Sequence, residues 1–296
     1  MEDLSARGFV GTGANSLQAG FVLNGGGTKE VLLRGIGPTL TSFGVADALP
    51  TPQLTLNDAN SNALATDLGW SASNGLILDP GATALDITSA DAATMARVGA
   101  FALLAASADS AILAGQLLPF PARYTIVVNG TPTNPTGVAL AEIYDADPGT
   151  PTARLINLSA RAQVGAGDNL FAGGFVIGGS GTETLLLRAI GPGLASYGVT
   201  GVSPNPVLTL YNQASGAVIA SNSGWSSAPT VGPAGAGAAV QAASAATMAA
   251  VGAFALTAGS ADSALVVTLP QGAYSATVTG STGVALVEIY EVSTGP

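Results

Sequence analysis

The chain of 296 residues contains neither cysteine nor histidine. Without cysteine there is no disulfide framework, no thiolate zinc site and no cysteine nucleophile. Without histidine there is no Ser-His-Asp triad, no imidazole metal ligand and no side chain whose unperturbed pKa lies near neutrality. Most familiar enzyme chemistry depends on these groups, so the sequence predicts a protein that is not an enzyme and that uses no metal or cofactor.

Charge is also scarce, because only 9% of the residues are charged, against roughly 25% in an average globular protein. Eight basic residues stand against 18 acidic ones, and the net charge of −10 would repel phosphate backbones and anionic lipids. We therefore expect no nucleic-acid partner. The most apolar stretch, residues 99–118, contains Asp109 and is rich in alanine and glycine, so it predicts core strands and no membrane insertion.

The sequence lacks the short motifs of cofactor and phosphate binding. There is no Gly-x-Gly-x-x-Gly, no Gly-Lys-Ser/Thr and no Gly-x-Ser-x-Gly. The only lysine, Lys29, could form a Ser-Lys dyad, but Glu183 stands at its position in the second half of the chain. A function present in both halves would not use Lys29.

The sequence indicates an internal duplication of one domain. Leu4-Ser5-Ala6-Arg7 returns as Leu158-Ser159-Ala160-Arg161, at an offset of 154 positions, and later segments match at offsets between 155 and 146. We place repeat 1 at residues 1–147, a Pro/Gly connector at 148–153 and repeat 2 at 154–296. Two prolines and a glycine make the connector short and stiff.

Residues Arg154–Asn157 precede the second Leu-Ser-Ala-Arg and have no counterpart before the first, which indicates a longer array. If these residues lengthen the first strand of repeat 2, then repeat 1 begins with a shortened strand and an open edge. Open strand edges can pair with another chain. We therefore expect association end to end or edge to edge, with the N-terminal segment as the joint.

Each repeat has mainly β character, with turns at short intervals. The glycines at 25–27 and 178–181 predict hairpins, and those at 280–283 predict another. Two short helices are predicted in repeat 1, one over Pro38–Phe43 and one from a capping Ser89 to Val98, with counterparts that begin at Pro192 and Ser244. About eight strands per repeat predict an all-β protein of two tandem, homologous, jelly-roll-like β-sandwich domains with short helical connections.

Several segments resemble the uncharacterised β-rich repeats found in tandem in large secreted or surface proteins of environmental bacteria. The resemblance covers nearly the whole chain. It implies export and a non-catalytic accessory or surface role, and it assigns no catalytic or ligand residues. The segments that bear it are Leu-Ser-Ala-Arg, Ala-Gly-Phe-Val, Leu-Leu-Arg-Ala-Ile-Gly-Pro, Val-Gly-Ala-Phe and Gly-Val-Ala-Leu-Val-Glu-Ile-Tyr.

Charges that occur in both repeats are the candidate functional residues. They lie in apolar, strand-like surroundings, where an unpaired charge costs several kcal/mol. We expect Arg34 to pair with Asp109 or Glu142 as a structural ion pair. The alternative is a glycosidase-like pair of carboxylates, but a neighbouring arginine would keep both acids ionised. The equivalent residues of repeat 2 are Arg188, Asp262 and Glu288.

Two further features have two interpretations each. Trp70 and Trp225 both follow glycine in loop-like stretches, and they suit either a plug over the end of the sandwich or a platform for stacking sugars. Asp58-x-Asn60-x-Asn62 has the opening spacing of a calcium loop, but Gly69 stands where the twelfth-position glutamate belongs, so an Asn-rich turn is favoured. A loop-built calcium site elsewhere would not be visible in the sequence.

These observations predict a non-catalytic structural or adhesive repeat module, secreted or at the cell surface, whose partners are neighbouring repeats or other copies of itself. The competing hypothesis is a carbohydrate-binding accessory module that binds polysaccharide through the two tryptophans.

Overall fold

The computed structural model describes residues 1–13, 15–70, 75–82, 84–120, 122–149, 153–235 and 238–292, with the backbone alone at residue 168. The contacts separate Glu2–Ile156 from Asn157–Pro296, so each repeat is a compact unit. Of the connector predicted at 148–153, residues 150–152 lie outside the described part. Among the described residues, no helix has the length and hydropathy needed to cross a membrane.

The first unit consists of ten strands and short helices. Its α-helix, α1, spans Ala92–Arg97, and its 3-10 helices span Pro38–Phe43 and Pro80–Ala82. The strands are β1 (Asp3–Val10), β2 (Leu17–Asn24), β3 (Lys29–Ile36), β4 (Gln53–Asn57), β5 (Ala63–Asp67), β6 (Leu76–Leu78), β7 (Asp86–Ser89), β8 (Ser110–Leu117), β9 (Arg123–Asn129) and β10 (Gly137–Asp145).

The second unit repeats this plan with longer strands. Its α-helix, α2, spans Ala245–Ala250, and its 3-10 helices span Gly167–Asn169, Pro192–Tyr197 and Pro233–Gly235. The strands are β11 (Arg154–Val164), β12 (Phe171–Ile190), β13 (Pro206–Asn212), β14 (Val218–Asn222), β15 (Thr230–Val231), β16 (Ala239–Ala242), β17 (Ser263–Gly280) and β18 (Gly283–Glu291). The prediction of a mainly β protein is confirmed.

Each unit contains two antiparallel ladders. In the first unit, one ladder has the order β1, β10, β3, β8, β7. The other has the order β2, β9, β4, β5, β6. In the second unit, β12 and β17 are long enough to run through both ladders, with a register shift between Ile177 and Thr182 where they pass from one to the other.

The predicted hairpins are wrong. Strand β2 pairs with β9, whereas β3 pairs with β8 and β10, so the glycines at 25–27 join two different ladders. The glycines at 280–283 likewise join the second half of β17, which pairs with β13, to β18, which pairs with β11 and β12. A glycine turn permits a sharp change in the direction of the chain. It does not decide which strands then pair, because the register of a strand depends on which of its faces is buried.

The short helices agree with the sequence except at one cap. The 3-10 helix Pro38–Phe43 ends at Gly44, which has a φ of 84°. Helix α2 begins after Ser244, whose side chain accepts a hydrogen bond from the Thr247 amide. Helix α1, however, begins after Asp91 and not after Ser89, which belongs to strand β7. Asp91 is an equally good capping residue, and it stands at the position of Ser244.

Candidate functional site: the charged clusters shared by both repeats

The charged cluster is positioned by the pairing of two central strands. Arg34 on β3 lies directly opposite Glu142 on β10, and Arg188 on β12 lies opposite Glu288 on β18. Residues directly opposite each other in an antiparallel pair project to the same face, so their side chains meet. The ladder register alone brings each arginine to its carboxylate.

The arginine of repeat 1 is fully buried and uses its whole guanidinium group. Arg34 Nε donates to Glu142 Oε2 at 2.7 Å, and Nη2 donates to the same oxygen. Its Nη1 donates to the Phe101 carbonyl at 2.6 Å. A charge-assisted pair of this kind is among the stronger hydrogen-bonded contacts in a protein.

Repeat 2 has the same arrangement. Arg188 Nε donates to Glu288 Oε2 at 2.9 Å, Nη2 lies 2.6 Å from that oxygen, and Nη1 donates to the Phe254 carbonyl at 2.5 Å. Two independent copies of one buried geometry indicate that the fold, and not a local accident of sequence, requires the pair.

Aromatic rings enclose each pair. The guanidinium of Arg34 lies 4.4 Å from the Phe101 ring centroid, and Tyr144 donates its hydroxyl to Glu142 Oε1 at 2.9 Å. In repeat 2 the corresponding distances are 4.3 Å to Phe254 and 2.8 Å from the Tyr290 hydroxyl to Glu288. Stacking on an aromatic face stabilises a desolvated guanidinium.

Burial governs the pKa values of this cluster. It raises the pKa of Glu142, while the charge and hydrogen bonds of Arg34 oppose the rise. Burial first, and then the negative charge of Glu142, raises the pKa of Tyr144 far above its ordinary value. Tyr290 is raised in the same way by burial and by Glu288. The tyrosines are therefore held as neutral hydrogen-bond donors.

Asp109, the other predicted partner of Arg34, has a different role. Its Oδ1 accepts the Gly37 amide at 2.8 Å, and its Oδ2 accepts the hydroxyls of Thr39 at 2.5 Å and Ser107 at 2.6 Å. Gly37 immediately precedes the 3-10 helix Pro38–Phe43, whose first amides have no partner within the helix. The carboxylate supplies that partner.

Asp262 repeats this arrangement with the amides of Gly191 and Gly193, at 2.8 and 3.1 Å. The backbone packs closely at this point: a Cβ on Gly37 would lie 1.9 Å from the Leu49 carbonyl oxygen, and one on Gly191 would lie 2.0 Å from that of Ser203. The repeated Ile-Gly-Pro segment thus requires glycine for steric reasons.

The tryptophans are half-buried, and their indole N–H groups donate to residues of their own repeat. Trp70 Nε1 donates to Ser107 Oγ at 3.2 Å, and Trp225 Nε1 donates to the Thr257 carbonyl at 2.9 Å. Both rings pack against the apolar core of their own repeat. This geometry suits the plug more than the sugar platform. Residues 71–74, which follow Trp70, lie outside the described part.

The rings that are most exposed are ones the sequence reasoning missed. Phe43 is 63% exposed and Tyr197, at the same position of repeat 2, is 62% exposed. Each contacts the ring that stacks on the buried arginine, with centroids 4.9 Å apart for Phe43–Phe101 and for Tyr197–Phe254. Their shared offset of 154 was a usable signal, but exposure is a property of the folded chain.

The carboxylates shared by the repeats are all engaged in internal contacts. Glu142 is 3% exposed and Asp109 is 0% exposed, and each binds a different set of donors. The Asp58 turn is also closed on itself. Asp58 Oδ2 accepts the side-chain amide of Asn62 at 3.0 Å, and Oδ1 accepts the backbone amides of Asn60 and Asn62, both at 2.8 Å; these hydrogen bonds, the side-chain one first, lower the pKa of Asp58. In the described part, no three acidic residues cluster in a way that could hold a metal ion.

One cavity of about 510 Å³ lies in the second unit. The side chains around it are uncharged, and its polar groups come from Thr182, Asn212, Thr268 and Tyr274. The Tyr274 hydroxyl is already used, because it donates to the Pro270 carbonyl at 2.9 Å. Among the described residues that line the cavity, none carries a charge.

Comparison of the sequence with models of known protein families gave no match. Comparison with curated proteins also gave no match.

Proposed function

We propose that the chain is a pair of structural repeats of an extracellular assembly, each a jelly-roll β-sandwich with no catalytic role. The strand order supports the fold assignment: β1, β10, β3, β8 in one ladder and β2, β9, β4, β5 in the other is the order produced by two Greek keys. The location outside the cell rests on the resemblance to repeats of secreted proteins.

One observation favours a structural role above all. Both repeats retain an Arg–Glu–Tyr cluster in a charge-poor chain, and in both it is buried and closed by internal contacts. Buried ionic networks of this type can specify one packing arrangement, and they leave no group exposed to a substrate. The retained charges thus define the fold of each repeat.

Exposed apolar residues on end strands support self-association as the mode of assembly. Strand β6 is the last strand of its ladder. In this strand Ile77 is 51% exposed and Leu78 is 54% exposed. Strand β15, its equivalent in repeat 2, exposes Val231 by 53%. End strands with exposed apolar side chains and few charges readily pair with another chain.

Light scattering across a concentration series tests this proposal. We expect the average mass to rise with concentration, the rise to weaken in Ile77→Lys, and the rise to disappear in Ile77→Lys/Val231→Lys, because charged end strands resist pairing. Leu118→Lys is the matched control, since Leu118 is 58% exposed but does not belong to an end strand. A monomer at every concentration would contradict self-association and leave a passive spacer.

A second candidate function, binding of a neutral polysaccharide, is favoured by the exposed rings of Phe43 and Tyr197. Both rings are bordered by small uncharged residues, such as Ser42 and Gly44 in repeat 1, and flat aromatic faces stack well on sugars. Calorimetric titration with soluble polysaccharides should show saturable heat that is lost in the double variant Phe43→Ala/Tyr197→Ala. Phe120→Ala, which removes a ring that is 60% exposed, is the control.

A further inference from the structure

The only lysine of the chain lies in a buried site made by the segment that leaves repeat 1. Lys29 begins strand β3 and is 1% exposed. Its Nζ donates to Asp145 Oδ2 at 2.5 Å and to the Ala153 carbonyl at 2.9 Å, and it lies 2.8 Å from Asp147 Oδ2. The ammonium group thus donates to two acceptors and forms an ion pair with a second carboxylate.

Backbone contacts extend this site along the departing chain. The Ala146 amide donates to the Glu30 carbonyl at 3.0 Å, and the Glu30 amide donates to Asp147 Oδ1 at 3.0 Å. Arg97 donates to the Ala146 carbonyl and pairs with Glu30 at 3.2 Å. Ala146 is fully buried and belongs to the core of repeat 1.

Repeat 2 shows which of these contacts belong to the common fold. The amide of Val292 donates to the Thr184 carbonyl at 2.8 Å, in the same way as Ala146 to Glu30. The cations, however, are not repeated: Glu183 stands at the position of Lys29 and Ala250 at that of Arg97. The backbone hydrogen bond is thus common to both repeats, whereas the two cations occur in repeat 1 alone.

We propose that Lys29 is a binding site for the chain segment that leaves repeat 1, and that it fastens residues 145–147 and Ala153 to repeat 1. Its occupant is the chain's own Asp-Ala-Asp segment together with the Ala153 carbonyl. A buried ammonium is costly unless it is paired, so Lys29 and the two carboxylates hold one another in place. Residues 145–147 and Ala153 are thereby held against repeat 1. This inference is independent of the structural and carbohydrate-binding functions proposed above.

Because Lys29 is the only lysine, labelling with an amine-reactive ester reports on the site directly. Intact mass should show one label, on the α-amine, in the native chain and two in urea. We expect Asp145→Asn/Asp147→Asn to take the second label under native conditions, at least about tenfold faster than the parent, because the ammonium loses both partners. Asp47→Asn/Asp86→Asn, which removes two exposed acids of the same unit, is the control and should keep Lys29 protected.

Limited proteolysis with a nonspecific protease provides the second measurement. Lys29→Met should be cut between residues 145 and 154 at least about tenfold faster than the parent, while circular dichroism verifies that the variant is folded. Native labelling of Lys29 at the rate seen in urea would overturn the proposal. So would continued protection of Lys29 in the Asp145/Asp147 variant, or an uncut connector in folded Lys29→Met.

Discussion

At the scale of single residues, the buried arginine is the group on which each repeat depends most. Arg34→Met should lower the free energy of unfolding by about 3–5 kcal/mol, because it leaves Glu142 buried without its cation. Arg123→Met is the matched control, since Arg123 is exposed. Urea unfolding measures both. The double variant Arg34→Met/Glu142→Met should recover part of the loss, and a change below about 0.5 kcal/mol in the single variant would contradict the assignment.

Asp67 is a buried carboxylate whose counterpart in repeat 2 is neutral. Its Oδ2 accepts the Ala111 amide at 2.7 Å, and Asn222 accepts the equivalent Ala264 amide at 3.0 Å. Burial raises the pKa of Asp67. When the pKa of a carboxyl group is higher in the folded chain than in the unfolded chain, its proton stabilises the folded chain at low pH. This contribution is lost as the pH rises through the folded pKa.

Asp67→Asn should therefore stabilise repeat 1 by about 1 kcal/mol at pH 7 and have little effect near pH 3, where the acid is already protonated. Thermal unfolding at the two pH values measures the difference, and Asp86→Asn, at an exposed acid, serves as control. An equal effect at both pH values would show that charge is not the cause.

Two half-buried tyrosines of the charged clusters, Tyr144 and Tyr290, predict a decline of stability in alkali. Because the folded pKa values of Tyr144 and Tyr290 are raised, stability is fully present below about pH 10 and falls above it, by up to about 1.4 kcal/mol per pH unit for each group. Tyr144→Phe/Tyr290→Phe should flatten the slope of unfolding free energy between pH 10 and 11. Tyr197→Phe, at an exposed ring, should leave the slope unchanged.

At the scale of the elements, the Ile-Gly-Pro turn is the point at which strand β3 of repeat 1 and strand β12 of repeat 2 end. Gly37 contacts the Leu49 carbonyl so closely that no Cβ fits, and its amide binds Asp109. Gly37→Ala should destabilise repeat 1 by at least about 3 kcal/mol, since the backbone must move apart and the buried carboxylate loses its donor. Gly81→Ala, where a Cβ meets open space, is the control in thermal unfolding.

At the scale of the whole molecule, each unit has its own apolar core and its own tryptophan. Trp70 reports on repeat 1 and Trp225 on repeat 2, and there is no other tryptophan in the chain. In a Trp225→Phe background, Arg34→Met should shift the fluorescence transition and Arg188→Met should shift it much less, because Trp70 and Arg34 belong to one compact unit and Arg188 belongs to the other. Equal shifts from both would mean that the two repeats unfold as one cooperative body.

Much of the architecture could be predicted from the sequence. The β character and the short helix at Pro38–Phe43 are confirmed, and Arg34 was predicted to pair with one of two acids, of which the structure has Glu142. The choice between Asp109 and Glu142 did not follow, since both are acids in apolar surroundings and only strand register selects Glu142.

Long-range pairing decided the rest. Local turn chemistry predicted that β2 and β3 form a hairpin, but β3 pairs with β8 and β10 on its two edges, and its side chains are buried on both faces. The site around Lys29 joins residues more than a hundred positions apart, and nothing in the local sequence indicates that contact. Composition and repetition thus determined the kind of protein, while contacts between distant strands determined which charges meet.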